Sequence, residues 1–240
     1  MVYAIILAGG SGSRMGSDTP KQLMKLMGKE IIYYPLATFC KDPLVDEVIL
    51  VSRKEDIPYY RTEMIDKYGF DKVTRICPGG EMRYHSVYNG LSAIEPDEDE
   101  IENIVLIHDG ARPFVTHEMI RTSIETVRNG YAACTVGMPV KDTIKVATEI
   151  SGTVMGTETP DRSTLYQIQT PQTFTYSLLA RAYEKLMREE NRKITDDTMV
   201  VETYGGTISR IIPGSYENIK ITTPEDLLIA QIFAEKFFSK

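Results

Sequence analysis

Cysteine is scarce in this sequence, with three among 240 residues. Cys40, Cys77 and Cys134 are odd in number, widely spaced, and lie in or beside apolar stretches. We interpret them as core thiols in a reducing cytoplasm, since neither a disulfide framework nor a zinc motif fits this spacing. A chain of this length does not need disulfides, because it can bury roughly 70% of its unfolded surface in its own core.

Long hydrophobic runs are also absent. No apolar stretch approaches the roughly 20 residues that a membrane-spanning helix requires. The short apolar run at the start of the chain has no basic segment before it and no small-residue cleavage site after it, so it does not resemble a signal peptide. These absences predict a soluble cytoplasmic protein that is not exported and has no membrane partner.

Positive charge is in short supply. The 27 lysines and arginines are outnumbered by 34 aspartates and glutamates, which gives a net charge of −7 at pH 7 and a pI near 5.1. Nucleic-acid binding calls for a basic surface, so we do not expect a nucleic-acid partner. An anionic small molecule would need a local basic pocket within this acidic protein.

What the chain does have is a glycine-rich segment directly after its first apolar run. Residues 2–8 are apolar, as expected for an inner strand of a parallel sheet. The glycines that follow can bring backbone N–H groups close to an anion, because no Cβ intervenes. Two cations, Arg14 and Lys21, could bracket a triphosphate there. A tight turn without a ligand is the alternative that this feature alone leaves open.

Two common phosphate-binding motifs do not fit this segment. The Walker motif needs a lysine directly after its last glycine, whereas Gly16 is followed by Ser17 and Asp18. The dinucleotide motif needs its third glycine one residue earlier than Gly16. It also needs an acidic residue after the second strand, where Ser52-Arg53-Lys54 stands.

The rest of the chain alternates apolar strands with helical patterns. This rhythm predicts an α/β fold, a single domain over residues 1–240 with a Rossmann-like, mostly parallel sheet flanked by helices. Thr116 and Thr223 are predicted to cap helices, and Gly130 to end one. We predict strands at 45–51, 72–77, 103–107, 132–140, 166–174, 207–212 and 218–222, and helices at 30–41, 55–68, 82–94, 116–129, 176–190, 196–204 and 224–238.

Residues 139–164 depart from this rhythm. Two stretches alternate around a turn near Ser151-Gly152, and both faces are too polar for the core. The pattern predicts a protruding β-hairpin. A dimerisation arm is the favoured interpretation, and a mobile surface flap is the alternative.

Asp109 follows a buried strand and precedes the turn Gly110-Ala111-Arg112-Pro113. A carboxylate at this position could hold Mg²⁺ between phosphates, because that cation needs only one or two carboxylates besides phosphate oxygens and water. The alternative is that Asp109 caps the turn and pairs with Arg112. We expect His108 to be packed or hydrogen-bonded at the strand end rather than catalytic.

Eight short motifs lie along the chain. They are Gly9-Gly10-Ser11-Gly12-Ser13-Arg14-Met15-Gly16, Pro20-Lys21-Gln22, Gly79-Gly80-Glu81-Met82-Arg83-Tyr84-His85-Ser86-Val87, His108-Asp109-Gly110-Ala111-Arg112-Pro113-Phe114, Pro139-Val140-Lys141-Asp142-Thr143-Ile144-Lys145, Gln169-Thr170-Pro171-Gln172, Thr195-Asp196-Asp197 and Asn218-Ile219-Lys220-Ile221-Thr222-Thr223-Pro224-Glu225-Asp226. Together and in this order they resemble the 2-C-methyl-D-erythritol 4-phosphate cytidylyltransferase family of the non-mevalonate isoprenoid pathway.

The resemblance implies a fold of the nucleotide-diphospho-sugar transferase type. It implies transfer of CMP from CTP to methylerythritol 4-phosphate, with release of pyrophosphate, Mg²⁺ as cofactor and a homodimer as the working unit. It also implies roles for individual residues. Arg14 and Lys21 would be catalytic, Asp109 would bind the metal, and Lys220 and Thr195 would bind the acceptor, with Thr143 and Arg162 reaching the acceptor from the partner's arm. The residues implied to bind the nucleotide are Ala8, Gly9, Gly10, Gly12, Ser13, Gly80, Glu81, Arg83, Ser86 and Gly110.

Two alternatives remain at this point. Leu7-Ala8-Gly9-Gly10 is closer to ribitol 5-phosphate cytidylyltransferases, whereas the motifs around Thr143 and Thr195 are closer to the methylerythritol enzymes. A catalytically silent nucleotide-binding dimer would be expected to lose its active-site charges. Five are retained: Arg14, Lys21, Asp109, Arg162 and Lys220.

Overall fold

The structure, a computed structural model, describes residues 1–10, 20–96, 103–189 and 193–238. The strands are β1 (Val2–Ala8), β2 (Lys25–Leu26), β3 (Lys29–Glu30), β4 (Glu47–Ser52), β5 (Val73–Pro78), β6 (Ile104–Asp109), β7 (Ala133–Pro139), β8 (Val146–Ile150), β9 (Thr153–Glu158), β10 (Tyr166–Thr175) and β11 (Arg210–Pro213). The helices are α1 (Tyr33–Lys41), α2 (Ile57–Tyr59), α3 (Arg83–Ser92), α4 (His117–Arg128), α5 (Tyr176–Leu186), α6 (Asp197–Gly205) and α7 (Pro224–Phe238).

A seven-stranded sheet organises the molecule, in the order β11-β7-β10-β6-β1-β4-β5. Strand β1 pairs in parallel with β4 and β6, and β4 pairs in parallel with β5. Strand β10 runs antiparallel to both β6 and β7, and β11 is parallel to β7. The predicted mostly parallel α/β sheet is confirmed.

Helices cover both faces of this sheet, so its inner strands are apolar throughout. On one face Ile6 of β1 belongs to a buried cluster with Phe39 of α1 and Ile120 of α4. On the other face Ile5 belongs to a cluster with Leu179 of α5. Successive side chains of a strand point to opposite faces, which is why neighbouring residues of β1 enter different clusters.

Some predicted elements are wrong in extent or type. Residues 218–222 form extended coil rather than a strand, although Ile221 N donates to Ala111 O at 2.9 Å. The helix expected from residue 30 begins at Tyr33, because Lys29–Glu30 pairs with Lys25–Leu26 in a small hairpin. The helix predicted at 55–68 is divided, with a 3-10 turn, α2 and a π-helical stretch in succession.

The residues predicted to begin or end helices α4 and α7 are confirmed. The Thr116 hydroxyl accepts a hydrogen bond from Met119 N at 3.2 Å and caps α4. Gly130, with φ +95°, follows the end of the same helix. The Thr223 hydroxyl accepts from Asp226 N at 3.4 Å at the start of α7, as a helix cap should.

The hairpin of β8 and β9 forms a sheet of its own, and all its residues are exposed. Its turn has positive φ at Ser151 and Gly152, 51° and 77°. A protruding hairpin is therefore confirmed, and its use in dimerisation stays a prediction.

The three cysteines are unpaired. Cys134 is buried, while Cys40 and Cys77 are partly buried. Burial raises the pKa of Cys40 and of Cys134 to about 12, so these thiols are unreactive near neutral pH. Within the part of the chain that the structure describes, every helix is too short or too polar to span a membrane.

Candidate active site

A cleft lies at the carboxyl ends of β1 and β6, the edge of the sheet where ligands bind in open α/β folds. Two adjoining pockets form it among the described residues, with volumes of about 350 Å³ and about 310 Å³. We call them the loop-side pocket, which includes Gly9 and Gly10, and the α6-side pocket, which includes Thr195. Both are lined by the same three charged side chains, Arg83, Asp109 and Lys220.

The beginning of the glycine segment is held by Gln22. This side chain is 2% exposed, and its Nε2 donates to the carbonyl oxygens of Ala8 and, at 3.2 Å, of Gly10. The Gln22 backbone is held separately, because its carbonyl accepts from Ile32 N at 3.0 Å. The sequence analysis assigned Gln22 no role, since a buried amide and an exposed amide look alike in a sequence.

Lys21 lies beside this segment. A Cβ built on Gly10 would be 3.9 Å from Lys21 Cε, so the lysine stem packs along the glycine backbone. A cation is thereby positioned at the loop-side pocket. The predicted loop residues Gly12, Ser13 and Arg14 lie outside the described residues.

The turn between β5 and α3 forms another wall of the loop-side pocket. Gly79 N donates to Ser52 O at 2.7 Å, and Gly80 N donates to Ser86 Oγ at 3.1 Å. A Cβ on Gly80 would lie 2.4 Å from His85 Cβ, so only glycine fits there. Glycine and a short hydroxyl side chain therefore shape this wall.

Asp109 is the electrostatic centre of the cleft. Its Oδ2 lies 2.9 Å from Lys220 Nζ and 3.4 Å from Arg112 Nε, and its Oδ1 lies 3.6 Å from Arg83 Nε. Burial alone would raise the pKa of Asp109, but the charges of Arg83, Lys220 and Arg112 outweigh it and hold the pKa well below its usual range. Asp109 is therefore a carboxylate at any physiological pH. The pairing with Arg112, given above as the alternative to a metal role, is present alongside two further cations.

Lys220 reaches Asp109 from the extended segment 218–222, which Asn218 anchors. The Asn218 side chain is fully buried and donates to Thr170 O at 3.0 Å. The backbone carbonyl of Asn218 accepts from Arg112 Nη1 at 2.8 Å. Arg112 therefore both contacts Asp109 and fixes the segment that carries Lys220.

His108 is buried behind the cleft and is neutral. Asp109 N donates to Thr170 Oγ at 3.1 Å, which leaves that hydroxyl to donate to His108 Nδ1 at 2.9 Å. The other ring nitrogen then carries the proton and donates to Arg112 O at 3.1 Å. Burial lowers the pKa of His108 to about 4, although the Arg112 carbonyl and Asp109 oppose this. The expectation that His108 is structural fits this geometry.

Arg83 makes a two-point ion pair that the sequence analysis did not anticipate. Its Nη1 and Nη2 lie 2.9 Å and 2.7 Å from the two carboxylate oxygens of Asp197. The Asp197 carboxylate is completely buried. Burial would lower the pKa of Arg83, but Asp197 and Asp109 raise it instead. The residues are 114 positions apart in the chain, so no local pattern joins them.

The structure brings most predicted site residues to one place. Those lining the cleft are Gly9, Gly10, Lys21, Gly80, Glu81, Arg83, Ser86, Asp109, Thr195 and Lys220. Ala8 and Gly110 are buried beneath it. Thr143 and Arg162, both exposed near the hairpin, do not line the cleft of their own chain.

The charges fit a divalent cation that arrives with phosphate. Among the described residues, no group of three or more histidine, cysteine and acidic side chains is arranged to hold a metal. Mg²⁺ bound to phosphate oxygens needs only one or two carboxylates, and Asp109 borders both pockets as a permanent anion. This donor set suits Mg²⁺ better than zinc, which prefers nitrogen and sulfur ligands.

The fold and the cleft indicate a class of enzyme. A glycine segment after an inner strand suits phosphate, and two adjoining pockets that share one carboxylate and two cations suit two anionic substrates. This arrangement is that of an α/β nucleotidyltransferase.

Comparison with known proteins then gives the family. The family model described as IspD: 2-C-methyl-D-erythritol 4-phosphate cytidylyltransferase matches residues 2–236. The chain belongs to this family, and the resemblance noted from its eight motifs is confirmed.

Relatives agree with this assignment. The 2-C-methyl-D-erythritol 4-phosphate cytidylyltransferase of Lachnospira eligens is 48% identical, with 97% of this chain and 99% of that protein covered. The enzyme of the same name from Clostridium botulinum strain Langeland is 44% identical, with 97% of this chain and 96% of that protein covered. The crystal structure of 4-diphosphocytidyl-2C-methyl-D-erythritol synthase from Anaerococcus prevotii superposes with a TM-score of 0.81 at 32% identity. The superposition covers 98% of this chain and 96% of that chain.

Proposed function

We propose that this enzyme transfers CMP from CTP to 2-C-methyl-D-erythritol 4-phosphate and releases pyrophosphate. The observation that carries the proposal is the position of Asp109 and Lys220 between two adjoining pockets. One pocket has the glycine segment expected for a triphosphate, and the other has room for a second phosphate-bearing molecule. The family assignment supports CTP and a polyol phosphate as that pair.

The reaction needs positioning and charge neutralisation more than covalent help. The acceptor phosphate oxygen attacks the α-phosphorus of CTP, and the bond to the pyrophosphate oxygen breaks. Lys21 and Arg14 stabilise the negative charge that develops on the phosphoryl oxygens. Lys220 holds the acceptor phosphate and offsets repulsion between the two anions.

Asp109 is the residue that would hold Mg²⁺ in this proposal. The cation supplies neutralisation of the triphosphate charge. The three cationic side chains around Asp109 keep it ionised, which is the form that a metal ligand requires.

The turn of residues 79–86 binds the cytosine. The pocket beside Gly80 and Ser86 is also lined by Glu81, Met82 and Arg83, and its volume of about 350 Å³ is to hold both the base and the phosphates, which favours a pyrimidine over a purine. Glu81 lies on the same wall with an exposed side chain, where it can orient the base.

The working unit in this proposal is a homodimer. The β8–β9 hairpin is fully exposed, and Arg162 and Thr143 do not line their own cleft. An arm that crosses to a second subunit would bring both residues to the partner's acceptor phosphate. The enzyme works in the cytoplasm in this proposal, in keeping with its unpaired cysteines.

Pyrophosphate release tests the activity. With CTP and Mg²⁺, methylerythritol 4-phosphate should give a kcat/KM at least about tenfold above ribitol 5-phosphate, since one methyl or hydroxyl discriminates by roughly 1–3 kcal/mol or more. ATP in place of CTP should be much poorer. Turnover of ribitol 5-phosphate with none of methylerythritol 4-phosphate would contradict the proposed acceptor.

Subunit mixing tests the dimer. Arg162→Ala and Lys21→Ala protomers should each be inactive alone, and a mixture should recover activity. One of the two sites in a mixed dimer would keep both intact side chains. If activity stays absent after subunit exchange is verified, Arg162 does not act across the interface.

A further inference from the structure

The pair Arg83–Asp197 lies between the two halves of the cleft. Arg83 is the first residue of α3 and follows the turn that walls the loop-side pocket. Asp197 is the first residue of α6 and follows Thr195 of the α6-side pocket. The ion pair therefore joins the elements that carry the two pockets.

Asp197 is itself held from several sides. Its Oδ1 accepts from Tyr183 OH at 2.5 Å, and its backbone N donates to Gln172 Oε1 at 2.9 Å. The Gln172 Nε2 donates to Asp196 Oδ2, also at 2.9 Å. These contacts orient the Gln172 amide and restrict movement of the Asp197 carboxylate.

Arg83 has a second carboxylate within reach. Its Nε approaches Asp109 Oδ1 at 3.6 Å, which is too long for a hydrogen bond. Both terminal nitrogens, by contrast, are at hydrogen-bond distance from Asp197. Arginine favours two-point contact with a carboxylate, and a largely buried guanidinium is costly to leave unpaired. Without Asp197, Arg83 would therefore turn to Asp109.

We infer that Asp197 is a positioning residue that holds Arg83 off Asp109 and so leaves Asp109 Oδ1 to a divalent cation. The other oxygen, Oδ2, already faces Lys220 and Arg112. If Arg83 closed on Oδ1, both carboxylate oxygens of Asp109 would be paired with cations of the protein. This inference rests on the proposed role of Asp109 as metal ligand, and it assigns a role to Asp197, Tyr183 and Gln172.

The test measures how much Mg²⁺ strengthens CTP binding. Isothermal titration calorimetry gives the Kd of CTP with and without saturating Mg²⁺, and the ratio is the metal enhancement. Asp197→Asn should lower this ratio by about tenfold, equivalent to ~1.4 kcal/mol, because Arg83 then competes with the cation. Tyr183→Phe loosens Asp197 while keeping the ring, so a smaller decrease is expected from a variant that retains the fold.

A double variant distinguishes positioning from general damage. Arg83→Gln combined with Asp197→Asn removes the competing guanidinium, so the metal enhancement should return toward that of the unaltered enzyme. A general loss of CTP affinity in either variant changes the Kd with and without Mg²⁺ by the same factor, so it does not change the metal enhancement. A structural defect alone would make the double variant no better than the single one.

Asp56→Asn is the matched control. Asp56 makes a two-point pair with Arg53, at 2.7 Å and 2.8 Å, outside the cleft, so its loss should leave the ratio unchanged. If Asp197→Asn keeps the full metal enhancement, or if the double variant does not recover it, the inference is wrong but the proposed function still stands. Absence of metal enhancement in the unaltered enzyme would remove the metal site and the inference with it. Failure to release pyrophosphate from CTP and methylerythritol 4-phosphate would instead refute the proposed function.

Discussion

Replacement of Gln22 by methionine tests how the glycine segment is held. Methionine has a similar volume and an unbranched stem, so it should fill the same buried space. The change removes two N–H donations, to Ala8 O and Gly10 O. The backbone bond to Ile32 N remains, so the turn that carries Lys21 should persist.

The cost follows from the burial of the two acceptors. Ala8 is 1% exposed, so water cannot replace the lost donor, and a buried carbonyl that loses its partner costs about 1–3 kcal/mol. Gly10 is exposed, so water can replace the bond there at little cost. We expect the free energy of unfolding to fall by about 1–2 kcal/mol, because the apolar methionine regains part of the loss.

Urea denaturation followed by circular dichroism measures this change. With an m-value of roughly 2 kcal/mol/M, the midpoint should decrease by about 0.5–1 M while m stays constant. Steady-state kinetics should show a higher KM for CTP, because Ala8 and Gly10 are no longer tied to the Lys21 turn. Gln231→Met on the exposed face of α7 is the control. If both variants have the same midpoint and the same kcat/KM, Gln22 does not hold the segment.

Two further predictions concern residues beneath the cleft. The pKa of His108 is lowered from 6.5 to about 4 in the folded state. Between these pH values the unfolded chain binds a proton on this histidine that the folded chain does not. The free energy of unfolding should therefore fall as pH decreases through this range, by up to about 3 kcal/mol. Urea titrations of the unaltered enzyme and His108→Gln at several pH values should therefore converge toward pH 4, and parallel curves would show that His108 is not held neutral. Gly110→Ala should destabilise the fold by about 1–3 kcal/mol and lower turnover, because its Cβ would lie 2.4 Å from Ile32 Cδ1 and 2.8 Å from Leu7 O. An unchanged melting temperature would show that the sheet edge adjusts to the methyl group.

Several contacts in the cleft could not be predicted from the sequence. The pairing of Arg83 with Asp197 joins residues 114 positions apart, and no pattern within either helix predicts it. The role of Gln22 depends on burial, which the residue type does not reveal. These side chains are polar groups whose partners exist only once separate elements pack together.

Local sequence by itself determined the fold class and the ends of some helices. The apolar runs of β1 and β6 are buried on both faces, so hydrophobicity alone identifies them as inner strands. Thr116 and Gly130 mark the ends of α4 through bonds and φ values that belong to their own neighbourhood.

Tertiary structure decided that residues 218–222 form coil rather than a strand. Residues 218–222 alternate apolar and polar side chains like a strand, but they form coil because Asn218 and Ile221 bond to Thr170 and Ala111 instead of joining a sheet edge. That coil brings Lys220 to Asp109. Strand propensity is a property of a few neighbouring residues, whereas a free sheet edge depends on the packing of the whole chain. The contact between Lys220 and Asp109 therefore became visible only in the fold.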